Sequence, residues 1–281
     1  MTNKNYSVLM SVYQKETPEY FITSIESMIN QTLPPNEIVI VKDGELTEEL
    51  DEVINRYQTS YPNLFTVVPL QHNVGLGKAL NYGLENCKNE LVARMDTDDI
   101  SVRDRCELQI NKFVKNDNLS IVGSFIDEFY DDPENILSSR VVPITHQDIL
   151  KFSRRRNPFN HPTVMYKKSA VLRCGGYGDY RRNQDFDLFV RMLNSGFIAE
   201  NVDKALVLFR ANQNNSERRK SWVKCKSNIK LMHTFWKKGY SSLIDLLIVS
   251  VSQLVVYISP LWFFNWLSNT FLRKTPNNQE S

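Results

Sequence analysis

The sequence predicts an α/β protein built on a parallel β-sheet, because strand and helix patterns alternate through its first hundred residues. Short runs rich in β-branched residues predict buried strands, the clearest being EIVIV at residues 37–41. Between these runs, apolar residues recur at the spacing of an amphipathic helix. Strands are predicted over residues 6–12, 37–41, 65–70 and 91–95, and helices over residues 18–31, around 50–57 and over 77–87.

The composition is that of a globular protein with an unusually basic end. The chain has 281 residues, of which 42% are hydrophobic and 23% charged, which excludes disordered and fibrous chains. The formal net charge is +2, but 12 Lys or Arg residues and only three acidic residues follow position 203. We expect this basic end to meet an anionic surface, either a membrane or a nucleic acid.

The rest of the chain is less regular than the first hundred residues. Helices are predicted over residues 102–115 and 184–193, and strands over 121–125, 161–166 and 205–209, the last closing the sheet. Residues 246–272 carry no charge but contain polar side chains and Pro260. We expect two short helices lying at a membrane interface, with Trp262 and Trp266 at headgroup depth. A membrane-spanning helix and a helix packed on the body are the alternatives.

Polar residues follow three of the predicted strands, at the edge where parallel sheets bind ligands. They begin at Tyr13, at Asp43 and at Asp96. The third group holds the carboxylates of Asp96, Asp98 and Asp99, a donor set that suits a divalent cation bridging to phosphate. The alternative is that these aspartates only begin the next helix.

Five motifs, in this order, resemble the inverting nucleotide-sugar glycosyltransferases of family 2. They are MSVY (10–13), VKDG (41–44), NVGLGKALN (73–81), DTDD (96–99, leading to Arg105) and QDFDL (184–188). The segment NPFNHPTVM (157–165) is similar to transferases of bacterial surface polysaccharides. The resemblance covers roughly residues 5–215. It implies the GT-A fold, a Rossmann-like nucleotide-binding sheet with a mixed acceptor-side extension, here followed by C-terminal apolar membrane-associating helices.

That resemblance implies a domain division and a donor site. Residues 1–215 would be the transferase, with a nucleotide-sugar half (1–105) and an acceptor half (106–215), and residues 216–281 would associate with the membrane. The residues implied to hold the nucleotide sugar are Ser11, Tyr13, Asp43, Gly75, Lys78 and Asp96. Asp43 is alternatively a turn residue before Gly44, and Lys78 alternatively a solvated helix lysine.

Family resemblance also implies the metal ligands and the base. Asp96 and Asp98 would hold Mn²⁺ or Mg²⁺, which stabilises the departing diphosphate. Asp185 would be the general base, and it is alternatively a helix cap. Asp187 is a competing candidate for the base. Residues implied to face the acceptor or a diphosphate are His161, Asp99 and Arg156.

Three positions depart from the family pattern: Lys42 precedes Asp43 within the second motif, Glu45 follows that motif, and Gln184 precedes the base. The implied reaction transfers sugar from a UDP-sugar to a polyprenyl-diphosphate-linked saccharide, forming a β-glycoside for O-antigen, capsule or exopolysaccharide. Because the N-terminus lacks an apolar signal core, we expect a cytoplasmic enzyme on the inner face of the cell membrane. No nucleic-acid partner is expected. The alternatives are a nucleotidyltransferase and a membrane-tethered, non-catalytic binder of nucleotide sugar or RNA.

Overall fold

The computed structural model describes residues 5–180, 182–211 and 221–259. The strands of this part of the chain are β1 (Tyr6–Val12), β2 (Glu37–Lys42), β3 (Phe65–Pro69), β4 (Leu91–Arg94), β5 (Ile100–Ser101), β6 (Leu119–Phe129), β7 (Ser138–Arg140), β8 (Met165–Lys167) and β9 (Ile198–Arg210). Its α-helices are α1 (Pro18–Ile29), α2 (Glu48–Ser60), α3 (Leu76–Asn86), α4 (Arg105–Lys115), α5 (His146–Ser153), α6 (Lys168–Arg173), α7 (Gln184–Asn194), α8 (Trp222–Lys237) and α9 (Leu243–Ile258).

All of these strands join one mixed sheet in the order β3-β2-β1-β4-β8-β6-β9-β5, with β7 paired to β6. Strands β1 to β4 run parallel, as predicted for the first hundred residues. Strand β8 is antiparallel to both β4 and β6, while β9 returns parallel to β6. The carboxyl ends of β1, β2 and β4 therefore lie at one edge, and the mixed half of the sheet extends beside them.

Side chains alternate across the sheet and build a core on each face. On one face, Val8 and Met10 of β1 pack with Phe21 and Ile25 of α1. On the other face, Leu9 packs with α3, α6 and α7. Both faces are apolar because helices cover both, which explains why the parallel strands have few polar residues.

Two predicted elements were wrong in part. The helix predicted over residues 102–115 begins at Arg105, because Ile100 and Ser101 form β5 and pair with Leu208 and Val207 of β9. The strand predicted over residues 161–166 contains a 3₁₀ turn at His161–Thr163, and β8 begins only at Met165. Pro162 has no N–H to donate to a ladder, which is consistent with a turn there.

Helices α8 and α9 end the described chain. Helix α9 stops at Ile258, close to the break predicted at Pro260, which itself lies outside the described residues with Trp262 and Trp266. In the described ranges, none of the helices combines the length and apolarity that crossing a bilayer requires. A capping box between Ser242 and Asp245 begins α9.

Candidate active site

A cleft of about 880 Å³ opens at the carboxyl ends of β1, β2 and β4; we call it the first cleft. Six of the predicted nucleotide-sugar and metal residues line it: Ser11, Tyr13, Asp43, Gly75, Asp96 and Asp98. Lys78 does not line it, since its ammonium forms an ion pair of 3.0 Å with Asp179 on the exposed surface.

Three carboxylates form an acidic cluster beside the first cleft. One oxygen each from Asp96, Asp98 and Asp99 lies within 4.8 Å of the others. Oδ1 of Asp99 accepts the backbone N–H of Arg210 at 2.9 Å, whereas its buried Oδ2 has no hydrogen-bond partner in the described structure. Burial and the neighbouring carboxylates raise the pKa of Asp98 to about 7 and raise the pKa of Asp99 well above its usual range.

This acidic cluster suits a divalent cation. A buried carboxylate oxygen without a donor is costly, and so are like charges that share a site. A hard cation with oxygen ligands would relieve both costs. The metal interpretation of the DTDD motif therefore fits the residues present, with Asp96 and Asp98 lining the cleft and Asp99 behind them.

Two buried arginines lie behind the acidic cluster. Arg94, 1% exposed, forms an ion pair with Asp96. Arg105 is fully buried and donates from Nη2 to the backbone oxygen of Arg94 at 2.7 Å, while its Nε lies 3.2 Å from Oε1 of Gln109. Both arginines adjoin the DTDD motif in the sequence, but no role was predicted for either; the signal for Arg94 is a cation inside an otherwise apolar strand.

Arg210 is a further residue that the sequence analysis missed. It ends β9, and its Nε donates to the backbone oxygen of Asp98 at 3.0 Å. Its guanidinium lies over the ring of Tyr20 at 3.9 Å and also over Phe129. The last residue of the mixed half of the sheet thereby fixes the acidic loop that follows β4. Nothing in the sequence pattern around Arg210 indicates this contact, which depends on the pairing of β5 with β9.

The Asp43 carboxylate holds the loop that begins α3. It accepts the backbone N–H of Val74 at 2.7 Å and that of Gly75 at 3.1 Å. Gly75 has a φ of 88°, in the region that favours glycine. Two carboxylate oxygens have more lone pairs than these two donors use, so Asp43 both orders this loop and presents acceptor capacity to the cleft.

A second cleft of about 850 Å³ adjoins the first. Tyr13 and Leu76 line both clefts, so these two residues mark the junction. Asp185, His161 and Arg156 line the second cleft, which is completed by residues of α8 and α9. Apart from Lys78 and the buried Asp99, the predicted site residues therefore divide between an acidic cleft and a cleft that holds the predicted base.

The candidate base lies in the first turn of α7. The Asp185 carboxylate accepts a hydrogen bond of 2.7 Å from the side-chain nitrogen of Asn157, and burial raises its pKa. Asp187, its competitor, is buried and paired with Arg191 at 2.7 Å. Of the two, only Asp185 lines the second cleft. Asn157 was not singled out from the sequence, although it begins the NPFNHPTVM segment.

His161 is packed within the wall of the second cleft. Its Nε2 lies 3.1 Å from the hydroxyl of Tyr177, and its ring contacts those of Tyr177 and Phe189. Burial and the charge of Arg94 lower the pKa of His161 well below its usual range, so the imidazole is neutral at pH 7. A neutral ring in this position orders the wall and presents no charge to the cleft.

Helices α8 and α9 are tied to the helix that carries Asp185. Asn183, in the left-handed region at φ 65°, donates to Asn228 of α8 at 2.7 Å. Asn228 in turn donates to Gln253 of α9 at 2.7 Å. Below this chain of amides, the rings of Phe186 and Phe235 pack edge to face at 5.2 Å.

A second connection joins α9 to the loop beside the base. Nε of Arg155 lies 2.5 Å from Oδ1 of Asp245, a buried residue in the first turn of α9. The other Asp245 oxygen accepts the N–H and the hydroxyl of Ser242. Arg155 is two residues from Asn157, so one loop contacts both Asp185 and α9.

Comparison with known proteins gives consistent similarities. The family model for glycosyl transferase family 2 matches residues 7–181. A UDP-Gal:alpha-D-GlcNAc-diphosphoundecaprenol beta-1,3-galactosyltransferase of Escherichia coli is 34% identical, covering 96% of this chain and 97% of that protein. The amylovoran biosynthesis glycosyltransferase AmsE of Erwinia amylovora is 38% identical, covering 80% of this chain and 84% of its own.

Among solved structures, a mannosyltransferase of Pyrobaculum calidifontis in complex with GDP-Man and Mn²⁺ has a similar fold. Its TM-score is 0.66 at 14% identity, over 93% of this chain and 72% of that chain. This similarity confirms a mixed α/β sheet of the GT-A kind.

Proposed function

The chain belongs to glycosyl transferase family 2 and is a glycosyltransferase, and from that premise we propose that it moves a sugar from a UDP-sugar to a lipid-linked saccharide. One observation carries the proposal: the acidic cleft and the cleft of Asp185 meet at Tyr13 and Leu76. A sugar at this junction would have its leaving group on one side and the base on the other.

The first cleft is proposed to hold the donor. Tyr13, which is 43% exposed to solvent, would stack on the uracil. Ser11 and Asp43 would form hydrogen bonds with the base and the ribose, with the Asp43 carboxylate as acceptor. Asp96 and Asp98, with Asp99 behind them, would hold Mn²⁺ or Mg²⁺, which when bound neutralises charge on the diphosphate. Arg94 orients the Asp96 carboxylate through their ion pair.

In the second cleft, Asp185 is proposed to remove the proton from the attacking hydroxyl. The hydrogen bond from Asn157 orients its carboxylate, and the raised pKa makes it a stronger base than an exposed aspartate. Attack from the face opposite the diphosphate inverts the anomeric carbon, so an α-linked donor gives a β-glycoside.

A lipid-linked acceptor is supported by the relative from Escherichia coli, whose name gives a diphosphoundecaprenol acceptor. The relative from Erwinia amylovora is named for polysaccharide synthesis. We propose that this chain likewise builds a surface polysaccharide, on the inner face of the cytoplasmic membrane. Residues 1–215 would carry the chemistry, and residues 216–281 would contact the membrane.

Membrane contact is supported by the outward face of α9. Nine large hydrophobic residues of this helix are 39–77% exposed: Leu243, Ile244, Leu247, Ile248, Val251, Leu254, Val255, Tyr257 and Ile258. The preceding helix, α8, carries exposed lysines, including Lys226, Lys230 and Lys237. An apolar helix face next to lysines suits an interface with anionic lipid.

That contact is tested by flotation with vesicles of anionic phospholipid. Replacing Leu247→Glu and Val251→Glu together should prevent the protein from floating with the vesicles. Leu172→Glu, at an exposed leucine of α6, is the matched control and should float like the parent. Equal flotation of the double variant would reject membrane contact through α9.

For the reaction itself, a panel of UDP-sugars is incubated with Mn²⁺ or Mg²⁺ and a synthetic lipid-diphosphate monosaccharide. We expect one UDP-sugar to give a product whose anomeric proton reports a β-linkage by NMR. Asp98→Ala and Asp185→Ala should each abolish product. Turnover by both variants at the parent's rate, or an α-linked product from an α-linked donor, would overturn the proposal.

A further inference from the structure

The lining of the second cleft is strongly basic. Among its described lining residues, one is acidic, Asp185, and five are cationic: Arg140, Arg155, Arg156, Arg182 and Lys224. The cations come from β7, from the loop after α5, from the segment before α7 and from the first turn of α8. The first cleft, in contrast, is lined by the carboxylates of Glu16, Asp43, Asp96, Asp98 and Asp131. The first cleft would therefore need a divalent cation to bind a diphosphate, whereas the second cleft offers cationic side chains of its own.

Arg155 and Arg156 are adjacent but differ in their partners. Arg155 is neutralised by Asp245. Arg156 stacks on the ring of Phe152 at 5.4 Å, and among the described residues no carboxylate forms an ion pair with it. Partial burial without a carboxylate lowers the pKa of Arg156. An anion in the second cleft would compensate that charge.

Arg182 and Lys224 also line this cleft, and both contact Ser221 at the start of α8. Nη1 of Arg182 donates to the hydroxyl of Ser221 at 3.3 Å, and the same hydroxyl caps α8 by accepting the N–H of Lys224. The hydroxyl of one residue thus holds both cationic residues near the start of α8. With Arg156, they supply charge from three separate segments of the chain.

The groups that line the second cleft match one kind of molecule. Asp185 lines it together with Tyr13, and Met232, Val249 and Gln253 of the C-terminal helices also line it. The outward face of α9 is apolar. We infer that the second cleft binds the diphosphate of an isoprenoid-linked acceptor through Arg156, Arg182 and Lys224. The sugar would then point to Asp185 and the isoprenoid to α9, an assignment that rests on the proposed function.

Binding is measured with the full-length protein and farnesyl diphosphate, in buffer without divalent metal, so that the acidic cleft does not bind the probe through a cation. We expect Arg156→Gln and Lys224→Gln each to weaken binding roughly tenfold or more, the scale of a lost charge-assisted hydrogen bond. Lys115→Gln is the matched control, since Lys115 is exposed at the end of α4 and lines neither cleft. Farnesol, which lacks the diphosphate, should bind all four proteins equally weakly.

A second arm separates the acceptor's diphosphate from that of the donor. UDP affinity in the presence of Mn²⁺ should be unchanged in both cleft variants, with melting temperatures near that of the parent. Loss of UDP binding would assign these cations to the donor and overturn the inference. Equal farnesyl diphosphate binding by the parent and both variants, or an equal loss in Lys115→Gln, would also overturn it. The experiment measures binding and not glycosyl transfer. Its result can therefore be interpreted even if the proposed transfer reaction is not observed.

Discussion

The side-chain nitrogen of Asn157 donates a 2.7 Å hydrogen bond to Oδ2 of Asp185. This bond favours the ionised carboxylate, whereas burial opposes it, and burial is the larger effect. Oδ1 of Asn157 accepts the N–H of Phe159 at 3.2 Å, so the amide has a fixed orientation. Asp185 is therefore a carboxylate whose pKa is raised by burial and whose direction is set by a loop distant from it in sequence.

The pH dependence of transfer should report this environment. Asp185 acts as a base only when ionised, so kcat/KM should fall as the pH drops through its raised pKa. Asn157→Asp keeps the acceptor for Phe159 but places a like charge beside Asp185, which should move the acidic limb to higher pH. Asn157→Ala should move it in the same direction by less. Asn194→Asp, at the exposed far end of α7, should leave the limb in place. An unmoved limb in Asn157→Asp would contradict the assignment of Asp185.

Replacing Asp185 and replacing Asp187, the two acidic residues of α7, should have different effects. Asp185→Asn should lower kcat by about 10²–10⁴-fold, with donor affinity unchanged, because it removes the proposed base. Asp187→Asn should mainly lower the melting temperature, because Asp187 is buried and paired with Arg191. Steady-state kinetics and thermal melts of the two variants check this, and the reverse pattern would make Asp187 the base.

The acidic cluster should cost stability when no metal is bound. The folded pKa of Asp98 is raised to about 7, so its ionisation destabilises the fold above the ordinary aspartate pKa of about 4. Without metal, Asp98→Asn should therefore melt at higher temperature than the parent at pH 8, and the difference should vanish near pH 4. Mn²⁺ at about 100 times its Kd should stabilise the parent by about 2.7 kcal/mol and the variant by much less.

The control for this experiment is Asp131→Asn, an exposed carboxylate that lines the same cleft outside the cluster. It should change neither the metal-free melting temperature nor the response to Mn²⁺. If Asp98→Asn responds to Mn²⁺ as the parent does, the cluster is not the metal site.

Gly83 allows α3 to lie directly on the sheet. A methyl group there would come within 2.4 Å of Leu9 Cδ1 and 2.6 Å of Val41 Cγ2. Gly83→Ala should destabilise the protein by about 1–3 kcal/mol through overpacking, reduced by the better helix propensity of alanine. Chemical denaturation measures the loss. Glu85→Ala, at an exposed position of the same helix, should leave the free energy of unfolding almost unchanged. An equal loss of stability in that variant would show that the effect comes from the helix itself and not from its packing on the sheet.

The parallel half of the sheet and its ligand-binding edge follow from local patterns. The alternation of buried strands with amphipathic helices places residues such as Asp43 and Asp96 at strand ends, and the structure brings both into one cleft. The mixed half could not be predicted in the same way. Strand β5 has two residues and exists only because β9 pairs with it. No local pattern signals such a pairing.

The site shows the same division. Residues within a motif were predicted, whereas their supporting residues were not, because the latter act across long separations in sequence. Arg210 contacts the acidic loop more than a hundred residues away, and Asn157 contacts Asp185 from another loop. Lys78, predicted from its motif, instead pairs with Asp179 because its position on α3 directs it to solvent.

The attachment of α9 has a geometric consequence. This helix is joined to the catalytic body directly by Arg155 with Asp245, and through Asn228 of α8, which contacts both Gln253 and Asn183. Its outward apolar face therefore keeps a fixed orientation relative to Asp185. If that face rests on a bilayer, the height of the base above the lipid is constant. The enzyme would then reach only acceptor hydroxyls at that height above the lipid, so membrane contact would limit which glycan lengths it extends.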